Sequence, residues 1–157
     1  MSYQIKKAAV LGAGVMGATI AAHLTNAGIP CYLLDIVPFE LTDADKAKGL
    51  TEKSPAWRNR FAANGLAGVT KSKPASFFSK SFASMIKIGN FEDNLDWLKD
   101  VDWVIEVVVE NLKIKQELFA KVEKVIKPDC IVSTNTSGLP IKDVSAKFGK
   151  NLKQHFL

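Results

Sequence analysis

Cysteine and histidine are scarce in this chain, with two of each in 157 residues. Cys31 and Cys130 stand too far apart to suggest a metal site, and each falls in an apolar stretch. Both are therefore expected as small buried hydrophobes. No apolar run is long enough to span a membrane, although 47% of the residues are apolar. The N-terminus lacks the charged-then-apolar layout of a signal peptide, because Gly12 and Gly14 interrupt the first apolar run. A cytoplasmic location is the resulting expectation, without a membrane partner. The net charge of +5 comes from scattered lysines rather than a dense basic tract with interleaved aromatics, so no nucleic-acid partner is expected. A mild positive field would suit a polyanionic ligand, and a solvated lysine-rich surface would account for the charge equally well. Internal repeats and low-complexity tracts are also missing.

What the chain does have lies at its start. Residues 6–11 (KKAAVL) read as a buried strand, and Gly12-Ala13-Gly14-Val15-Met16-Gly17 follows at once. A helix-like apolar run covers 18–27, and a second strand, 31–35, ends in Asp35, eighteen residues after Gly17. This is a G-x-G-x-x-G in a strand–turn–helix–strand setting with an acid at the second strand's end, the arrangement of a dinucleotide site. Gly12 allows the tight turn, Gly14 lets backbone approach a pyrophosphate, and Gly17 lets helix and strand pack closely. Val15 and Met16 belong to the same turn and are expected to touch the cofactor. Free N–H groups at the helix start would face the phosphates. Asp35 would accept from the adenosine ribose hydroxyls and repel a 2′-phosphate. Ile36-Val37-Pro38 offers no cation to bind one, so NAD(H) is favoured over NADP(H). The plainer alternative is three glycines serving a tight turn, with Asp35 as a solvated strand end.

The strand–helix rhythm lapses after Asp35. Residues 41–49 and 56–64 read as helical, 65–73 (GLAGVTKSK) as a loop, and 77–84 either way. A short strand is expected at 85–88 and a short helix at 94–99. The run 102–109 (DWVIEVVV) has the continuous apolar character of a central parallel strand. Asn111 can cap a helix over 112–127, which presents Leu118, Phe119, Val122, Val125 and Ile126 on one face. A strand at 130–134 and a helix at 140–147 complete the series. The order predicts an α/β fold: a Rossmann-type, doubly wound, mostly parallel sheet with a helical insertion at about 40–85. Ligands of such sheets bind beyond the C-terminal strand ends. Three polar clusters gather there: the glycine turn, residues 106–115 and residues 134–137.

In the second cluster Glu110 and Lys115 could face the cleft, a carboxylate for ribose or amide groups and a lysine for phosphates. Alternatively, Glu110 complements the helix dipole and Lys115 is solvated. In the third, Ser133 to Ser137 would either form a turn or aim small donors at a nicotinamide and a substrate oxygen. His23, inside the first helix, is expected to be structural. His155 has no paired acid in view.

With these clusters in place, the chain resembles the NAD-binding domain of the L-3-hydroxyacyl-CoA dehydrogenases of fatty-acid β-oxidation. The matching segments are GAGVMGATIAAHLTNAG at 12–28, YLLD at 32–35, DVDWVIEVVVENLKIKQELF at 100–119 and STNTSGLPI at 133–141. The resemblance implies that Asp35 binds the adenosine ribose and that Glu110 and Lys115 contact the cofactor, with Lys115 also near the acyl-CoA. It further implies that Ser137 bonds near the reacting oxygen and that Asn135 shapes the same pocket. Gly138 stands where many relatives have a second serine, and Val107 where many have alanine. Region 40–85 aligns poorly with the family's CoA-clasping helices, leaving Lys71 and Lys73 as candidates for the CoA phosphates.

The family's catalytic histidine lies in a segment reading roughly G-x-H-F-F-N-P. Counted from Ser137, that position falls beyond Leu157, so His155 is read as an ordinary residue at the start of a strand. The catalytic His–Glu pair and the C-terminal helical substrate and dimerisation domain are then expected outside this chain. Residues 1–157 would be the NAD-binding domain of a larger, homodimeric enzyme, binding NAD(H) but inactive alone. A non-catalytic NADH-sensing module and another Rossmann β-hydroxyacid dehydrogenase are the alternatives. The second would not be expected to carry VENLKIK followed by NTSGL. A methyltransferase fits the glycine spacing and the acid less well.

Overall fold

A computed structural model describes residues 4–157. The first unit is strand β1 (Ala8–Leu11), helix α1 (Val15–Asn26) and strand β2 (Cys31–Asp35). The insertion carries α2 (Asp43–Ala47), α3 (Pro55–Arg58) and α4 (Arg60–Thr70). Strand β3 (Ile86–Asn90) follows a 3-10 turn at Lys80–Met85, and a second 3-10 turn, Leu95–Asp100, leads to β4 (Trp103–Glu106). Helix α5 (Leu112–Val122), strand β5 (Ile131–Thr134), α6 (Ile141–Val144) and α7 (Lys150–Gln154) complete the order.

The five strands form one sheet in the order β3-β2-β1-β4-β5, every pairing parallel. The chain starts in the middle, builds outward to β3, then crosses back to β4 on the other side of β1. That reversal leaves a crevice between the C-terminal ends of β1 and β4. Strand β1 has no exposed residue, and its side chains alternate between two cores. Ala8 and Val10 pack with Ala18, Ala21 and Ala22 of α1, while Ala9 and Leu11 pack with Val104, Phe119 and Val132. The small residues of α1 let that helix lie close to the sheet.

The doubly wound sheet and its insertion agree with the sequence reading, while several boundaries differ. The expected loop at 65–73 is helical as far as Thr70. Its two glycines suggest a break, yet Gly65 serves a packing contact. A Cβ there would lie 2.2 Å from the Ala13 carbonyl oxygen, so only glycine lets α4 touch the glycine turn. The expected helices at 41–49 and 140–147 shorten to Asp43–Ala47 and Ile141–Val144, and that over 112–127 stops at Val122. The segment at 94–99 is a 3-10 turn, and α7 had no counterpart in the sequence reading. Beside β5, Phe156 forms a parallel bridge with Val132.

Polar contacts tie the insertion to the sheet. Arg58 meets Asp93 at 2.5 Å and Glu92 at 2.7 Å, and Asn90 donates to Asn59 at 2.7 Å, while Arg60 pairs with Asp45 within the insertion itself. Both cysteines are buried free thiols, pushed by burial up to about 12 for Cys31 and about 11 for Cys130, as core residues should be.

Two alanine substitutions test the α4 contact. Gly65→Ala drives a methyl into backbone and should destabilise by about 1–3 kcal/mol. Gly68→Ala, with open space around it, should be neutral or stabilise by up to about 1 kcal/mol through helix propensity. Thermal melts of both variants provide the check, and equal effects would contradict the packing argument.

Candidate dinucleotide-binding site

The crevice is built first by glycine. Gly12 has φ +110, and a Cβ on it would sit 2.5 Å from the Val107 carbonyl oxygen at the end of β4. Both facts require glycine there. A Cβ on Gly17 would fall 1.9 Å from the Gly12 carbonyl oxygen, so that residue keeps α1 folded tightly onto the turn. Gly14 is the N-cap of α1, with nothing within 4 Å of its Cβ position, and offers no side-chain acceptor. The first turn of α1 carries no acid. Its amide donors and positive dipole end are thus presented to an anion. Val15 and Met16 stand exposed on this rim, at 86% and 57%.

Asp35 stands at the end of β2, beside the turn. One carboxylate oxygen accepts from Ala13 N–H at 2.6 Å and the other from Ile36 N–H at 2.7 Å. These bonds fix its orientation. The crevice beside it holds a cavity of about 610 Å³ bounded by Gly12, Gly14 and Asp35. Its walls are mostly apolar, with Ile36, Phe39, Phe91, Val107 to Val109 and Ile114, and Glu117 and Lys121 of α5 add one charge of each sign. Phe39 is 92% exposed. The sequence reading did not single it out, since one aromatic in an irregular stretch carries no periodic signal. A second cavity, of about 480 Å³, lies between the glycine turn, α1 and α4, with Phe61, Asn64 and Ser72 in its lining. Lys71 and Lys73 flank Ser72 and are exposed.

The opposite rim joins the β4–α5 connection to the turn after β5. Asn111 caps α5, its Oδ1 accepting from Ile114 N–H at 3.1 Å. Glu110 reaches across to the turn. Its Oε1 accepts from the Thr136 hydroxyl, from Ser137 N–H at 3.2 Å and from Gly138 N–H at 2.9 Å. The Thr136 hydroxyl, the Gly138 amide and then Lys115 hold its carboxyl down at about 2, so it is ionised at neutral pH. Asn135 and Ser137 are exposed on the same rim.

Lys115 is neither solvated nor on the cleft surface. It is 1% exposed, and its Nζ meets Glu106 at 2.7 and 3.0 Å and Glu110 at 3.4 Å. Glu106 is 0% exposed; the sequence reading places it at the edge of the second polar cluster and gives it no role. The signal for it is a lone charge inside the apolar run DWVIEVVV.

The histidines lie apart from these groups. His23 is exposed near the end of α1, and His155 Nδ1 lies 3.0 Å from the Asn151 carbonyl oxygen. Among the described residues, no carboxylate pairs with either histidine and no metal-binding cluster occurs. Among the described residues, no helix is long and apolar enough to cross a membrane.

A reversing parallel sheet, a glycine turn at a helix start and an acid beyond β2 define a Rossmann-type dinucleotide-binding domain. Residues 7–157 match the family profile for the NAD-binding domain of 3-hydroxyacyl-CoA dehydrogenase, and the chain belongs to that family. It is 48% identical over its full length to a probable 3-hydroxyacyl-CoA dehydrogenase of Bacillus subtilis. Over 88% of its length it is 49% identical to a protein of the same description from Deinococcus radiodurans. The chain spans 20% and 36% of those two relatives. Among solved structures it resembles Mycobacterium tuberculosis FadB2, with 29% identity and a TM-score of 0.64 over 97% of this chain and 47% of that one. It also resembles the (S)-3-hydroxybutyryl-CoA dehydrogenase PaaH1 of Ralstonia eutropha, with 25% identity and a TM-score of 0.64 over 98% and 48%.

The anchoring of Glu110 predicts a pH signature. Its carboxyl sits below the ordinary 4.5, so its contribution to stability is full above that value. The contribution is lost as pH falls through about 2. Glu110→Gln should therefore lower the melting temperature at neutral pH, and the gap from wild type should close on acidification. A gap that stays constant with pH would contradict the assignment.

Proposed function

We propose that this chain supplies the NAD-binding part of an enzyme that oxidises L-3-hydroxyacyl-CoA to 3-oxoacyl-CoA in fatty-acid β-oxidation. The observation that carries the reading is the glycine turn at the sheet reversal, with a fixed acid at the neighbouring strand end. The residues fit the cofactor: the space beside Gly14 at the start of α1 is open, and α1 brings no acceptor of its own to the phosphates. In this reading Gly12, Gly14, Val15, Met16 and Gly17 form the cradle for the pyrophosphate. Asp35 takes the adenosine ribose, and Ile36, Phe39, Val109 and Ile114 flank the adenine. Glu110, Asn135 and Ser137 orient the nicotinamide half and the reacting oxygen. NAD, when bound, supplies the hydride acceptor.

Proton removal from the substrate hydroxyl needs a base of suitable basicity held in one tautomer, as a His–Glu pair provides. His155 bonds a backbone carbonyl rather than an acid. We assign the base to residues outside this chain, consistent with its 20% share of the Bacillus subtilis relative. The same proposal has an acyl-CoA as substrate, in line with the family description, and a cytoplasmic homodimer as the working form.

Calorimetric titration with NADH, NADPH and acetoacetyl-CoA tests the reading. NADH should bind saturably, NADPH more weakly and acetoacetyl-CoA poorly, with no dehydrogenase turnover. Asp35→Ala should weaken NADH binding, and an absence of NADH binding would overturn the reading. A companion prediction concerns the apolar wall. Loss of aromatic contact in Phe39→Ala should raise the Kd for NADH by about fivefold or more, on the scale of base–aromatic stacking. It should leave reduced nicotinamide mononucleotide, which lacks adenine, unaffected. An equal effect on both ligands would remove Phe39 from the adenine wall.

A further inference from the structure

Glu106 has no place in the cofactor contacts described above, yet it is the most heavily bonded carboxylate near the cleft. It lies at the end of β4 with no exposed surface. Its Oε1 accepts from Lys115 Nζ and Val108 N–H, each at 2.7 Å. Its Oε2 accepts from Lys115 Nζ at 3.0 Å and from the Thr134 hydroxyl. Its backbone carbonyl accepts from Asn135 N–H at 2.8 Å. One residue therefore gathers the end of β4, helix α5 and the end of β5.

The bonding continues outward. Lys115 Nζ also lies 3.4 Å from Glu110 Oε2, and Glu110 Oε1 holds the amides of Ser137 and Gly138. A buried carboxylate is thus linked through a buried ammonium to an exposed carboxylate and the exposed turn. Burying such charges is costly, and apolar replacements often stabilise a fold equally well. Stability alone does not explain why the pair stands beneath the cleft. Geometric control of what lies above it does.

Resting on the reading of the cleft as an NAD site, we propose that Glu106 is a positioning residue for its nicotinamide half. Through Lys115 it sets the rotamer of Glu110 and the path of the 136–138 turn. Lys115 acts as the link in this chain of bonds, held away from solvent. The adenosine half, built from the glycine turn and Asp35, meets the network at Val108 N–H, a bond that Glu106→Gln can keep through its amide oxygen, and is otherwise separate from it.

That separation supplies the test. Wild type and Glu106→Gln are titrated with NADH and with ADP-ribose, which lacks the nicotinamide. In the variant the Kd for NADH should rise about tenfold, a change of the order expected when a supporting residue of a binding site is lost. The Kd for ADP-ribose should stay within about twofold, a change small on the scale of binding energies. A role in stability alone would shift both ligands together or neither, and either result would overturn the proposal. Glu106→Gln removes the charge that faces the buried Lys115 ammonium and can unfold the chain. The double variant Glu106→Gln/Lys115→Met removes both charges and should regain thermal stability without regaining NADH affinity. Wild-type NADH affinity in the double variant would overturn the proposal. Equal wild-type affinity for NADH and ADP-ribose would do so as well, since the nicotinamide half would then contribute nothing. A wild-type chain that binds neither ligand would instead refute the cofactor reading itself.

Discussion

The close approach of Gly12 to the carbonyl of Val107 is the contact on which the rest of the site depends. Strand β1 must end against β4, turn at once, and send α1 back along the sheet. A side chain at Gly12 would meet backbone at 2.5 Å in a conformation that L residues rarely adopt. The turn would have to widen, moving the start of α1 away from the sheet reversal. Gly17 enforces the same tightness from the helix side, and Gly65 repeats it from α4. Three elements thus converge on residues 12–13 through positions that exclude a Cβ, keeping the crevice floor made of backbone.

The crevice walls follow a different rule. Around the adenosine half they are apolar and partly exposed, as at Phe39, Val109 and Ile114. Around the Glu110 half the order comes from charge. Lys115 and Glu106 are sealed from solvent, and breaking one partner of such a pair leaves a buried charge uncompensated. The energetic penalty for leaving this geometry is therefore far larger than for moving a surface lysine. The two halves of the site are held by different forces and meet at Val108, whose N–H bonds Glu106 and whose side chain lines the apolar wall.

The sequence makes the first half legible and conceals the second. Glycine spacing and a terminal acid are local signals, and the structure keeps Gly12, Gly17 and Asp35 in tightly constrained positions. The apolar run at 102–109 identifies a central strand for the same reason: burial on both faces leaves no alternation. Lys115 misleads because lysine is rarely buried, and its partner Glu106 lies nine positions earlier, on another element. Residues 65–70 mislead in the opposite way. Gly65 and Gly68 lower helix propensity locally, but Ala62 and Val69 are buried on the body of the domain, and that tertiary contact decides the conformation. What escapes sequence reading is pairing between distant elements, for residue types whose usual place is the surface.

The distribution of charge along the crevice gives an independent argument about its ligand. Asp35 stands at one end and Glu110 at the other, Glu117 and Lys121 of α5 line the wall as a pair of opposite charges, and the glycine turn offers only uncharged amides and a helix start without an acid. A carboxylate accepts hydrogen bonds from hydroxyl or amide groups and repels phosphate. Helix-start amides favour phosphate. The ligand that satisfies this order has donors at both ends and an anion between them, as a dinucleotide does with a ribose on either side of its pyrophosphate. Lys115 would disturb the pattern if it reached the surface, because a cation beside Glu110 would draw phosphate toward the wrong half. Its burial against Glu106 keeps that cation out of the cleft.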